Sequence, residues 1–312
     1  MSSRDLDASS RRSFPLAISQ VYDCTKFLED HPGGGSSITI VAGTDCTEEF
    51  EALHSSKAWK MLDEWYIGDL ESDEPTGAPA PAAAPAPPPV PVAPVALNPK
   101  KWVSLQLAER EEISHDTRRL RFALQTPETE LGLPTGQHMF LKATVDGKLT
   151  MRAYTPVGFG TGYVEFVIKV YFANVHPKFP AGGILTQHMN KLQIGDTLDF
   201  KGPMGEFAFD VVQPGPRIPS ALARFEHTKN KEKQTFHKLG LICGGSGITP
   251  GMQVAEALLK EKHLDVQIKL LYANQTENDI LIREKIEKLA EDPRFDVWCA
   301  ENSPRCAREG IA

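Results

Sequence analysis

The chain has no C-x-x-C pair: its five cysteines, Cys24, Cys46, Cys243, Cys299 and Cys306, are an odd set scattered over 312 residues. That argues against a zinc ribbon or a disulfide framework, and a reducing compartment, the cytoplasm, is expected. No uninterrupted apolar run approaches the length of a bilayer span, so no membrane helix is expected. Positive charge is also short: 34 Lys and Arg face 41 Asp and Glu, a net charge of −7. Nucleic acids and anionic membranes need a basic face to displace counterions, so neither is an expected partner. The first twenty residues carry Arg4, Arg11, Arg12 and several serines, as transit peptides do, but Asp5 and Asp7 oppose that reading. Without periodicity, residues 1–20 read as unstructured.

Apolar residues (41%) and charged residues (24%) stand in the proportion of a globular protein long enough for two or three domains. Acid is concentrated early: residues 22–75 hold thirteen Asp and Glu against three Lys and no Arg, leaving the rest slightly basic. Between Pro75 and Pro99 lie ten prolines and eight alanines. Such a stretch buries little and favours extended polyproline II, reaching at most roughly 78 Å. Residues 71–99 therefore read as a semi-rigid tether between an acidic module, 21–70, and the larger C-terminal part of the chain. A proline-domain ligand would want a basic anchor, which is missing.

Within the acidic module, His31 sits on a tight Pro-Gly loop, and His54 ends a helical stretch marked by Ala42, Cys46 and Phe50, with Thr44 or Asp45 as its N-cap. Two imidazoles facing across an apolar slot would fill both axial positions of a haem iron, which favours electron transfer over oxygen chemistry. Spacing alone leaves two unrelated surface histidines as the simpler reading.

From 100 to 236 the pattern is short alternating strands, including Leu120, Phe122 and Leu124, a hairpin at Asp146-Gly147, and a strand from Tyr163 to Phe172. With no long helix between them they predict a small antiparallel barrel. At its rim Arg152, Tyr154 and Thr155 offer a cation, an aromatic face and a hydroxyl, with Arg152 and Tyr154 on one side of a strand that Pro156 stops. Gly182 and Gly183 open a helix over 185–192, an N-terminus suited to a pyrophosphate, although a plain glycine turn fits equally. Residues 214–233 read as an irregular loop.

From 237 to 312, a buried strand (239–243), a glycine loop (244–250), a helix (254–259), a strand (266–272), a helix (279–290) and a third strand (295–299) predict a parallel βαβ unit.

Three stretches resemble known families. Residues 21–34 (VYDCTKFLEDHPGG), 50–55 (FEALHS) and 66–68 (YIG) are similar to the cytochrome b5 family, whose haem ligands match His31 and His54. Residues 152–155 (RAYT), 167–172 (VIKVYF) and 182–186 (GGILT) resemble the FAD domain of the ferredoxin-NADP reductase superfamily, and 176–183 (HPKFPAGG) looks most like eukaryotic assimilatory nitrate reductase. The βαβ unit resembles the NAD(P)H domain of that superfamily.

The resemblance implies a multidomain electron-transfer enzyme: an α+β haem domain short of its N-terminal strand and helix, an antiparallel FAD barrel, and a Rossmann-like α/β domain lacking the family's terminal Cys-Gly-Pro motif. It assigns FAD to Arg152, Ala153, Tyr154, Thr155, Val167, Lys169 and Tyr171, and the pyrophosphate to Gly182, Gly183, Ile184, Leu185 and Thr186. The nicotinamide nucleotide falls to Gly244, Gly245 and Gly247, with Pro250 also on the cofactor side, while Thr249 would approach the flavin, and Lys169 and Thr249 are nearest the reaction. The implied cofactors are FAD, haem b and NADH, with NADPH open, and the implied downstream acceptor is a haem protein or a molybdenum domain. Nitrate reduction by this chain alone is not expected. Two alternatives stand: a cytochrome b5 reductase-type enzyme with a vestigial haem module, and a non-catalytic cofactor-binding fragment.

Overall fold

The computed structural model describes residues 16–17, 20–32, 34–69, 94–175, 177–214, 221–228 and 231–301. In the first module β1 (Leu16–Ala17), β2 (Gln20–Tyr22) and β3 (Tyr66–Asp69) form an antiparallel sheet in that order. Helices α1 (Gly35–Thr39), α2 (Thr47–Leu53) and α3 (Ser56–Leu62) lie between β2 and β3. A small core of Tyr22, Cys24 and Leu62 is wrapped by Ile38, Phe50, Trp59 and Trp65.

Three expectations change here. Strand β1 falls in the segment read as unstructured. Helix α2 begins after Cys46 rather than after Thr44 or Asp45, because the Asp45 carboxylate accepts the Thr47 amide (2.9 Å) and shapes a turn ahead of the helix, leaving Ala42 outside it. Helix α1 is too short for periodicity to announce.

The polyproline expectation for 71–93 lies outside the described residues. The tether, placed through 99, ends earlier: the Ala96 and Leu97 amides donate to the Glu130 and Leu131 carbonyls, and both side chains are buried in the next domain's core.

That domain contains β4 (Val103–Ser114), β5 (Thr117–Ala123), β6 (His138–Val145), β7 (Lys148–Tyr154), β8 (Gly158–Gly160), β9 (Tyr163–Lys169), α4 (Ile184–Lys191) and β10 (Thr197–Met204). The strands make one antiparallel sheet, β7-β6-β10-β4-β5-β9-β8, curled around Leu107, Leu120, Phe122, Met139, Leu141, Phe166 and Phe200. Its ladder has β7 and β8 as its two edges, so it is barrel-like without a closed hydrogen-bonded ring. The hairpin at Asp146 (φ 51°) and Gly147 (φ 73°) is the tight turn expected. Strand β9 stops at Lys169, short of Phe172, because the next groups bond to loops: Val170 donates to the Asp116 carbonyl and Tyr171 accepts the Gly183 amide.

A second antiparallel sheet is formed by β11 (Phe207–Val212), β12 (Leu222–His227) and β13 (Lys233–Phe236), so the segment read as an irregular loop, 214–233, contains β12 and the start of β13. Charged residues masked its alternation, while Phe209, Phe225 and Phe236 gather on one face. Ala221, Ala223, Phe209 and Phe236 pack into the C-terminal core, so a boundary at 236 crosses a shared interior.

The last domain holds β14 (Lys238–Gly244), α5 (Ile248–Lys260), β15 (Gln267–Asn274), α6 (Arg283–Leu289) and β16 (Phe295–Glu301), with parallel pairing β14-β15-β16. Helix α5 starts at Ile248, placing Thr249 and Pro250 inside its first turn rather than in the loop. Helix α6 starts at Arg283, because Thr276 and Asp279 form a capping box around a separate 3-10 turn. Strand β14, expected to be buried throughout, covers only Leu239, Leu241 and Cys243, while Ile242 is 84% exposed. Cys299 lies on β16, and Cys306 lies outside the described residues.

Candidate functional site

The cores place three groups of residues along one path. In the first module His31 and His54 face each other, ring centroids 5.9 Å apart and planes 40° off parallel. Two metal–nitrogen bonds of about 2 Å, with the reach from ring centre to nitrogen on each side, span about 6 Å. His31 Nδ1 lies 2.9 Å from the Gly34 carbonyl and His54 Nδ1 lies 3.1 Å from that of Phe50. Each carbonyl accepts, which holds the proton on Nδ1 and leaves the Nε2 lone pair for a metal. Burial pushes His54 below its ordinary pKa, further favouring the neutral ligand form. Phe50 stacks on His54 at 4.1 Å and Phe27 meets His31 edge-on. This pair fits haem ligation.

The second group lies along β7 and β9. Arg152 and Tyr154 share a face of β7, as alternation requires, but differ in setting. Arg152 is exposed, whereas Tyr154 packs edge-on against Phe166 (6.3 Å) and its hydroxyl pKa is raised by burial. Ala153 is exposed and Thr155 half-buried. Val167 is buried on the side of β9 away from the core residues Phe166 and Ile168.

The glycine loop is locked to Tyr171. A Cβ on Gly182, whose φ is +66°, would lie 2.4 Å from the Tyr171 carbonyl oxygen, and one on Gly183 would lie 2.5 Å from Thr186 Oγ1. Thr186 donates to the Gly183 carbonyl (3.0 Å) and accepts the Tyr171 amide (3.2 Å). Its proton is thus committed, so Thr186 shapes the loop rather than offering a free donor. What remains for a pyrophosphate is the first-turn amides of α4 at Ile184 and Leu185. His176 lies outside the described residues.

The third group is the turn from β14 into α5. A Cβ on Gly245 or Gly247 would meet nothing within 4 Å, and one on Gly244 would reach only the Ala273 carbonyl at 4.0 Å. The protein's own packing leaves open room above this loop, which fits an incoming nucleotide. Thr249 is buried, its hydroxyl donating to the Ser246 carbonyl (3.3 Å), and Pro250 is exposed. At the carboxyl end of β15, Asn274 is 7% exposed with no partner for either amide atom among the described residues. A buried amide without partners suits a ligand at that end of the sheet.

Lys169 bridges the second and third groups. Its ammonium lies 3.0 Å from Asp116 and 2.5 Å from Asp279, and Tyr171 Oη lies 3.4 Å from Ser246 Oγ. The hydrogen bond from Lys169 holds Asp279 below its ordinary pKa; burial works against ionisation of Asp116, but Lys169 still holds it low. A depressed carboxylate contributes stability above its unfolded value, near 3.9, and loses it as pH falls through the folded value. Asp279→Asn is therefore expected to lower the melting temperature at neutral pH, with the gap to wild type closing on acidification below about pH 4. Thermal melts across that range check this.

Several contributors were missed from sequence. Buried Tyr272 donates its hydroxyl to the Gly245 carbonyl (3.0 Å) and accepts the Leu281 amide (3.2 Å), with its pKa pushed up to about 12 by burial. Gln253 accepts the Gly136 amide and donates to the Gln137 carbonyl, tying α5 to the barrel-like domain. Gly251 lets α5 approach β14, since a Cβ there would lie 2.7 Å from Cys243 Sγ. Only Gly251 left a signal, its four-residue spacing from Gly247.

Models of three families match in order: cytochrome b5-like haem/steroid binding domain over 7–71, oxidoreductase FAD-binding domain over 104–209, and oxidoreductase NAD-binding domain over 241–310. The first match begins inside residues 1–20, which read as unstructured from sequence alone. With two facing histidines, a curled antiparallel sheet and a glycine turn into a βα unit, these domains define a flavohaem oxidoreductase that uses a nicotinamide nucleotide.

The cytochrome b5 reductase domain of Ulva prolifera nitrate reductase superposes with a TM-score of 0.62 at 40% identity, covering 70% of this chain and 79% of that one. The chain belongs to the nitrate reductase family and matches its cytochrome b5, FAD-binding and NAD-binding portions. NADH nitrate reductase of Lotus japonicus is 45% identical over 301 residues, 89% of this chain and 32% of that protein; one from Zea mays is 40% identical, covering 97% and 49%. The chain thus spans a third to a half of their length. Among the described residues no helix is long and apolar enough to cross a membrane.

Proposed function

We propose that the chain carries electrons from NADH through FAD to a b-type haem held by His31 and His54. The observation that carries this reading is continuity: helix α2, which leads into His54, packs against β7, which bears Arg152 and Tyr154, while Tyr171 of the flavin group reaches Ser246 of the nucleotide turn. FAD, when bound, takes a hydride and gives up electrons singly. Arg152 and Thr155 would bind its polar groups, Tyr154 would pack its ring, and the α4 amides would face its pyrophosphate. Gly244, Gly245 and Gly247 would admit the nicotinamide nucleotide, with Thr249 and Lys169 positioning the reacting rings. NADH is favoured over NADPH because the relatives named above are NADH enzymes. We place the chain in the cytoplasm, in keeping with the buried, unbridged thiols of Cys24 and Cys243. A further protein acceptor, a haem protein or a molybdenum domain, would take electrons onward.

The test is anaerobic mixing of haem- and FAD-reconstituted protein with NADH, following the Soret and flavin bands and, separately, ferricyanide reduction. Both signals are expected. A flavin signal without a Soret band would favour a reductase with a vestigial haem module, and bound FAD without ferricyanide reduction would favour a non-catalytic binder.

A further inference from the structure

Each segment that bears a candidate haem ligand touches the barrel-like domain through a defined polar contact. On the His54 side, the Glu49 carboxylate accepts hydrogen bonds from Trp102 Nε1 (3.1 Å) and Lys201 Nζ (3.1 Å). On the His31 side, the Gly35 amide donates to Glu206 Oε1 (3.1 Å). The receiving pocket is built and charged. The Lys201 side chain is 7% exposed, and the Lys142 and Lys201 ammonium groups lie 4.3 and 5.5 Å from the Trp102 ring centroid. Burial alone would disfavour a charged Glu49, yet Lys201 and Trp102 hold its carboxyl below the ordinary glutamate range. The same helix carries Phe50, whose carbonyl orients His54, so Glu49 and the ligand's backbone support are adjacent residues.

We propose that Glu49, seated between Lys201 and Trp102, is the docking anchor that fixes the haem-binding module on the flavin-bearing sheet. An acidic module on a proline-rich tether can approach a slightly basic partner in many orientations, and one half-buried carboxylate paired with the buried Lys201 selects one of them. Glu49 is a positioning residue: it touches neither candidate ligand ring, and it acts through the seat of α2 against β7. The part of the inference that concerns electron flow rests on the function proposed above.

The test uses the full chain with haem and FAD. Hydride from NADH brings two electrons; the ferric iron takes one per reduction and ferricyanide takes one per ion, so only the first readout requires a seated haem module. Glu49→Lys is expected to slow NADH-driven haem reduction about 10- to 100-fold at low salt while ferricyanide reduction stays unchanged. Trp102→Phe, which removes only the indole donor, should give a smaller loss of the same kind. The charge swap Glu49→Lys with Lys201→Glu should recover at least about tenfold over the single change.

A second readout needs no cofactor. Amide exchange over Thr47–Leu53 and Thr197–Met204 in the apo full chain should accelerate in Glu49→Lys and return towards wild type in the swap. Unchanged exchange and unchanged haem reduction in Glu49→Lys would overturn the proposal. Exchange that depends on Glu49 in a wild type that reduces ferricyanide but not haem would support the docking site and overturn the electron route through it.

Discussion

His54→Ala is expected to remove the six-coordinate Soret spectrum and to lower NADH-driven haem reduction by at least about 100-fold while ferricyanide reduction persists. The asymmetry follows from where the change falls. His54 supplies one of two facing rings 5.9 Å apart, so its removal leaves His31 without its partner ring. Tyr154, the α4 amides and the glycine turn belong to other cores and keep their geometry. The module itself should also weaken. Its buried core is small, Tyr22, Cys24 and Leu62 with a few half-buried aromatics, so bound haem contributes to its stability by mass action. Wild-type holoprotein is therefore expected to melt above the apoprotein, and His54→Ala to melt like the apoprotein whether or not haem is supplied. Retention of a normal Soret band in the variant would show that His54 is not a ligand.

Legibility from sequence varied with the physical source of each signal. The alternation of Leu120, Phe122 and Leu124 reports burial on one face of a strand, and all three are in the core. The Asp146-Gly147 hairpin was equally plain, since its positive φ values select those residue types. The β11–β13 sheet was not: Arg224, Glu226 and the basic run near Lys233 are paired across the surface, and such charges resemble a loop when the apolar side is read alone. Helix starts were misplaced for a related reason. Caps at Cys46 and Ile282 use backbone geometry rather than a side-chain oxygen, so no residue type announced them. Within the site, single motifs pointed to His31, His54 and the two glycine turns, but the groups that couple stations did not show. Lys169 with Asp279, Gln253 with Gly136, and Glu49 with Lys201 are separated by 110 or more residues in sequence, and only folding brings them together.

Gly247→Val is expected to raise the apparent KM for NADH by about 10- to 100-fold while flavin content and melting temperature stay close to wild type. Glycine is usually explained by the backbone it permits or by the protein atoms it lets past, and neither applies here. Gly247 has φ −65°, open to any residue, and a Cβ on it would meet nothing within 4 Å. Gly182 is the contrast: its φ is +66° and its Cβ would strike the Tyr171 carbonyl, so its substitution should disturb the fold whether or not a ligand binds. The protein's own packing thus does not require the missing side chain at Gly247, and the turn into α5 is where backbone amides can approach a nucleotide phosphate or ring. A valine there would occupy the ligand's room without disturbing the loop, which Tyr272 holds through the Gly245 carbonyl. Steady-state kinetics against NADH, with flavin absorbance and a thermal melt on the same preparation, separate the two causes: a KM effect with an unchanged melt locates the nucleotide over Gly247, and an unchanged KM would place it elsewhere.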